Sequence, residues 1–211
     1  MNDIVEVPAS RRHSRLPAWL LALRPRHWVK NVLVIVPLAA AHHLGDFTLL
    51  GRVAMAFAAF SLCASGLYVL NDLFDLEADR GHPSKRRRPL ASGEMTRTTA
   101  FALIGVMWLG AALVAAQLGM AFSGVLAAYV LLMIAYSVRL KHVVLLDALL
   151  LAAGYSARIA AGAVAVAILP STWLIAFSLF LFYSLALIKR YAELTHNRDR
   201  QGPSAHARGY E

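Results

Sequence analysis

Long apolar runs separated by short polar ones make up most of this chain. A membrane-crossing helix needs ~20 mostly apolar residues, and six stretches come near that length: roughly Trp28–Leu44, Leu49–Leu70, Thr99–Ala116, Met120–Val138, Val143–Ile168 and Thr172–Ile188. The pattern predicts an all-α fold, a polytopic transmembrane bundle. The first run is the least regular. It opens with Lys30 and Asn31 and contains Pro37, which would kink a helix by removing a backbone donor. Gly119 and Pro170 fall between runs, where each suits a turn.

Composition agrees with this pattern. Of 211 residues, 59% are hydrophobic and only 16% charged, whereas a soluble domain is nearer half apolar and a quarter charged. The net charge of +9 does not point to a nucleic-acid partner, because a groove-binding protein carries its bases on a soluble face. The single cysteine, Cys63, excludes an internal disulfide and a cysteine-based metal site. It reads as a small buried side chain. Met1 to Pro17 carries no secretory signal pattern.

Charge also predicts orientation. Lysines and arginines gather before the first run, in the second and fourth loops, and after the sixth run. Only Arg52 and Arg158 lie elsewhere. By the positive-inside rule both termini face the cytoplasm. The chain then divides into a cytoplasmic segment (1–22), a transmembrane domain (23–194) and a polar cytoplasmic tail (195–211) in a cell membrane.

The densest cluster of chemistry is NDLFDLEADRGHPSKRRRPLASG, Asn71 to Gly93. If the second helix continues through it, Asp72, Asp75 and Asp79 share one face at i, i+3 and i+7, with Asn71 on the same side. Three stacked carboxylates repel one another, and a helix C-terminus adds partial negative charge. The arrangement makes sense around a cation. Oxygen-only ligands favour Mg²⁺, which keeps waters and bridges to phosphates. The alternative is a helix that stops at Leu70 and leaves solvated loop acids. Lys85, Arg86, Arg87 and Arg88 follow, suited to phosphate oxygens or to anionic membrane lipid.

Other polar residues stand inside or beside the runs. Asp147 opens the fifth, and a carboxylate there suggests function. Arg158 lies about three turns further on the same helix face. With Tyr155 it could line one cavity, or it could form a structural ion pair with Asp147. Lys30 and Asn31 open the first run, while Lys189, Arg190 and Glu193 close the sixth, as substrate contacts or as snorkelling anchors. Trp28 and Trp173 read as interface anchors.

These residues resemble a known family. NDLFDLEAD fits the N-D-x-x-D-x-x-x-D motif of the UbiA-type intramembrane prenyltransferases, and RPLASG fits the segment after it. LRPRHWVKNVLV, DRGHPSKRRRPLASG, YSVRLKHVVLLD and KRYAEL are similar to the decaprenyl-phosphate phosphoribosyltransferase branch. A second acidic motif, D-x-x-x-D, is expected of aromatic prenyltransferases after the sixth helix; KRYAEL stands there instead.

The resemblance implies Mg²⁺-dependent transfer of 5-phosphoribose from phosphoribosyl diphosphate to a polyprenyl phosphate, towards a cell-wall arabinan precursor. It implies Asn71, Asp72, Asp75 and Asp79 as metal ligands and Asp72, Asp75 and Asp147 as catalytic groups. The candidate substrate contacts are Lys30, Asn31, Lys85, Arg86, Arg88, Lys141, Tyr155, Arg158, Lys189 and Arg190. The alternatives are prenyl transfer to an unknown acceptor and an inactive membrane protein. The resembled fold has nine helices, so three helices are expected to be missing beyond this chain's polar tail. The oligomeric state, a homo-oligomer included, stays open.

Overall fold

The computed structural model describes residues 17–138, 140 and 146–200, without the side chains of 194 and 196–200. Eight α-helices carry the fold, and among the described residues there is no strand. They are α1 (Ala18–Leu23), α2 (Val36–Ala40), α3 (Phe47–Phe74), α4 (Leu76–Gly81), α5 (Arg97–Leu118), α6 (Met120–Val138), α7 (Leu146–Ala165) and α8 (Thr172–Arg200). Five of them, α3 and α5 to α8, are long and apolar enough to cross a membrane. α3 and α7 form the buried centre, while α5, α6 and α8 leave most of their apolar surface outside.

Local chemistry sets the helix ends. The Asp46 side chain caps α3 by accepting from the amides of Thr48 and Leu49 at 2.8 and 3.1 Å. Thr96 caps α5 through Thr99 at 3.1 Å. Gly119 closes α5 at φ 103, a region that favours glycine. Arg52, one of the two bases outside the charge pattern, donates to the carbonyls of Ala165 (2.5 Å) and Leu118 (3.4 Å). One guanidinium thereby satisfies the C-terminal ends of both α7 and α5.

The first apolar run departs from expectation. It is a 3-10 helix over Pro25–Ile35 followed by α2, and Pro37 sits in the first turn of α2, where its missing N–H costs nothing. A 3-10 turn rises about 2 Å per residue, so the composite covers about 30 Å, close to the hydrocarbon thickness. Its turn of three residues aligns every third side chain. Trp28, Asn31, Val34 and Pro37 face inward, while Arg26, Val29 and Val32 face out. Trp28 is therefore no interface anchor: its indole donates to Ser65 Oγ at 3.0 Å. Trp173 is 85% exposed, as an anchor would be.

The core is built from small residues around a few rings. Phe60 packs edge-on against Phe122 and tilted against Tyr129. Ala56, Ala59, Ala111, Ala115, Ala161 and Ala165 let the helices approach closely. Cys63 is buried and free, and its carbonyl accepts from the Trp108 indole at 3.3 Å. The closest backbone approach is at Gly162, where an added Cβ would lie 2.0 Å from the Val34 carbonyl oxygen.

Gly162→Ala should therefore lower stability by about 2 kcal/mol or more, read as a fall in the thermal midpoint of the purified protein. Gly105→Ala, whose Cβ meets nothing within 4 Å, should leave it unchanged or slightly raised.

Candidate active site

α3, α6, α7 and the first segment enclose a cavity of about 230 Å³. Each long helix contributes one ridge: Ala64 to Asn71 from α3, Tyr129 to Ser137 from α6, and Leu151 to Arg158 from α7. Seven helical residues rise about 10 Å. The cavity runs that far, from Asn71 and Tyr136 at the basic end of the bundle to Ala64, Tyr129 and Arg158 at its floor. Among the described residues its charged lining groups are Arg24, Lys30 and Arg158, with no carboxylate.

The acidic ridge lies beside the mouth. α3 pauses for one residue at Asp75 and resumes as α4, but the i to i+4 bonding continues: Asp75 N–H donates to Asn71 O at 3.0 Å and Asp79 N–H to Asp75 O at 2.8 Å. The continuation expected from the sequence is thus present with one break. Asp72 and Asp79 are buried, at 3% and 1% exposure, and Asp75 and Asn71 are half-buried.

Arginines lie against these acids. Arg24 donates to Asp72 at 2.5 Å. Arg88 donates to Asp72 at 3.1 Å and to Asp79 at 2.6 Å. Asn71 donates to Asp75 at 3.0 Å. Among the described residues no three His, Cys, Asp or Glu side chains stand together ready for a metal. The donor chemistry of Asn71, Asp72, Asp75 and Asp79, all oxygen and all on one ridge, fits Mg²⁺; the present geometry of Asp72 and Asp79 is the one arginine imposes.

Asp147 and Arg158 do not pair with each other. Both Asp147 oxygens are engaged, by Arg190 at 2.5 and 3.0 Å and by the hydroxyl of the cavity residue Tyr136 at 2.6 Å. Arg190 also donates to Glu193 at 2.6 Å, so these side chains cross-link α6, α7 and α8. Arg158, 6% exposed, donates instead to Asn31 Oδ1 at 2.8 Å, to the Gly154 carbonyl at 2.5 Å and to the Tyr129 hydroxyl at 2.8 Å. Asn31 in turn donates to Ser61 at 3.0 Å.

The other expected contacts divide. Lys30 and Tyr155 both line the cavity, with Lys30 Nζ 5.6 Å from the Tyr155 ring centre. Lys85 and Arg86 stay outside it on the 3-10 turn Lys85–Arg87. Lys189 lies on the exposed side of α8, 3.8 Å from Glu193. Lys141 falls outside the described residues. Sequence reasoning overlooked Arg24, counted there only for topology, and the hydroxyls of Tyr68, Tyr129 and Tyr136. A tyrosine within an apolar run was the available signal, since a buried hydroxyl needs a partner.

Comparison with known proteins bears on this site. The UbiA prenyltransferase family model matches residues 31–203. The chain is 38% identical over 198 residues to the decaprenyl-phosphate phosphoribosyltransferase of Mycolicibacterium smegmatis, covering 92% of this chain and 62% of that protein. It is 40% identical over 190 residues to nodulation protein NoeC of Azorhizobium caulinodans, covering 90% and 62%. The chain thus spans less than two thirds of the length of these relatives. In fold it is similar to a UbiA homolog from Archaeoglobus fulgidus bound to GPP and Mg²⁺, with a TM-score of 0.71 and 18% identity over 86% of this chain and 65% of that one.

One test follows from the electrostatics. Asp147→Asn leaves the Arg190 guanidinium, 12% exposed, with Glu193 as its remaining carboxylate, and should cost about 1.5–3 kcal/mol, the worth of a charged hydrogen bond, in thermal unfolding. The double variant with Arg190→Gln should recover part of that loss.

Proposed function

The chain belongs to the UbiA prenyltransferase family, and from that premise we propose that it is a multi-pass membrane transferase that moves 5-phosphoribose from phosphoribosyl diphosphate to a polyprenyl phosphate. The observation that carries this reading is the charge of the cavity: among the described residues Arg24, Lys30 and Arg158 line it with no carboxylate, directly beside an acidic ridge. A donor with anionic groups at both ends suits such a chamber; a prenyl diphosphate has an anionic group at one end only. The position of KRYAEL, where Arg190 donates to both Glu193 and Asp147, supplies no second acidic motif for a prenyl donor. Similarity to the phosphoribosyltransferase of Mycolicibacterium smegmatis supports the same choice.

In the reaction, an oxygen of the lipid phosphate forms a bond to the anomeric carbon of the ribose. The bond from that carbon to the diphosphate breaks, and diphosphate leaves with the electron pair. A phosphate monoester is already largely ionised near pH 7, so no strong general base is needed. Asn71, Asp72, Asp75 and Asp79 would hold Mg²⁺, which when bound neutralises charge on the leaving group. Arg88 and Arg24 stand within reach of both the carboxylates and the mouth, so they keep Asp72 and Asp79 compensated and offer donors to phosphate oxygens. Lys85 and Arg86 add positive potential at the entrance. The apolar outer faces of the bundle would admit the lipid tail laterally, with the basic end and both termini in the cytoplasm. The product is a lipid-linked pentose phosphate, a precursor suited to cell-wall arabinan.

The decisive assay offers labelled phosphoribosyl diphosphate and labelled geranyl diphosphate separately to membranes carrying the protein. Label should enter the lipid fraction from the sugar donor, in a Mg²⁺-dependent manner; transfer only from the prenyl donor overturns the assignment. Asp75→Asn is the informative acid variant, because half-buried Asp75 bears less of the fold than Asp72. It should reduce turnover at least about a hundredfold and leave the thermal midpoint unchanged. Arg88→Gln should lower kcat/KM for the donor about tenfold or more, the loss of a charged hydrogen bond, with a smaller change for the lipid phosphate.

A further inference from the structure

Arg158 is a buried cation without a buried anion. Every hydrogen-bond acceptor it meets is neutral: an amide oxygen, a backbone carbonyl and a phenol. Its guanidinium also approaches the rings of Tyr129 (4.9 Å), Tyr155 (5.6 Å) and Phe60 (5.9 Å). These partners fix the side chain and leave its charge uncompensated in an apolar bundle, where an isolated ion is costly. Three of its five N–H groups are used, so two remain. It sits at the cavity floor, about 10 Å below Asn71 along the helices.

The charges of the site are therefore sorted by depth. The acidic ridge lies beside the mouth, with Asp72 and Asp79 paired to Arg24 and Arg88 and Asp75 accepting from Asn71. The floor and wall carry Arg158 and Lys30, which both approach the Tyr155 ring. Tyr155 is itself held by stacking on Phe182, with ring centres 4.8 Å apart. A diphosphate–metal group belongs at the rim, where oxygen ligands are. The floor suits a small anion alone.

We propose that Arg158 and Lys30, with the Tyr129 hydroxyl, form a second subsite for a phosphate monoester, separate from the diphosphate site at the acidic ridge. This rests on the phosphoribosyl-transfer reading for its biological ligand, though the subsite itself follows from the cavity. Two sources share the chemistry: the 5-phosphate of the sugar donor, and the phosphate of the lipid acceptor. A fixed guanidinium fork binds either through paired N–H···O contacts, and the anion supplies the missing countercharge.

Binding measured on the full chain in nanodiscs tests this, with ribose 5-phosphate, geranyl phosphate and Mg²⁺–pyrophosphate as separate probes. Arg158→Gln should weaken one of the two monoesters about tenfold or more and leave Mg²⁺–pyrophosphate within about twofold. Asp75→Asn should do the reverse. Which monoester responds identifies the source. Lys30→Gln, at a half-buried site that can tolerate change, should show the same selectivity more weakly, and it decides the matter if Arg158→Gln does not fold. Equal loss of monoester and pyrophosphate in these variants overturns the proposal, as does unchanged binding of both monoesters. Absence of phosphoribosyl transfer with selective monoester loss would instead remove the transfer reading and leave the subsite standing.

Discussion

A single guanidinium, that of Arg88, spans two buried carboxylates, Asp72 and Asp79, and much of the architecture depends on it. Carboxylates stacked at a helix C-terminus inside an apolar bundle cannot stay ionised without cations. Arg88 meets that need only if the chain turns back after α4, as it does through the Lys85–Arg87 turn. Arg24 meets it from the other side, in a left-handed backbone conformation between α1 and the 3-10 helix. Both strands of chain that frame the mouth are thus positioned by the acids they neutralise. The first segment, pinned at Arg24, then lies against α7 as far as Gly162, and the cavity is the space left between them.

The same rule operates at the second cluster with a different outcome. Asp147 meets Arg190 across α7 and α8 and becomes a cross-link. Arg158 meets only neutral oxygens. One face of α7 therefore carries a satisfied anion near one end and an unsatisfied cation deeper in. Packing alone does not account for the second, since a neutral side chain of similar size would fill that volume without the electrostatic cost.

Four of six membrane runs could be read from sequence to within four residues at each end, because apolar length is a local property; the sixth starts at Thr172 as expected but its helix continues past Ile188 to Arg200. The acidic ridge was equally legible, since spacings of three, four and seven fix a helical face whatever lies around it. Partners were not legible. Arg24 and Asp72 are 48 residues apart, and Asp147 and Arg190 are 43 apart; such pairings depend on the path of the chain. Arg158 and Asp147 share a helix face, but eleven residues set them about 16 Å apart along the axis, and each is partnered by neighbouring elements instead. Lys85 and Arg86 belong to a run of like charges in which nothing local distinguishes them from Arg88. The first run misled for another reason. Its inward positions, half-buried Trp28 and buried Asn31, Val34 and Pro37, repeat every three residues, and a 3.6-residue template does not register that period.

That period has a genetic corollary. In a helix of three residues per turn, His27 and Lys30 form one file and Trp28, Asn31 and Val34 another, each a third of a revolution from the next. Losing one codon between Trp28 and Lys30 would rotate everything upstream by that third and exchange the files. His27 would then be presented to the core, and Trp28 to lipid. A change of three codons would restore every file and shift it by one turn, about 6 Å. Length variation in this stretch should therefore occur in multiples of three residues, a triplet rule written over the triplet code itself.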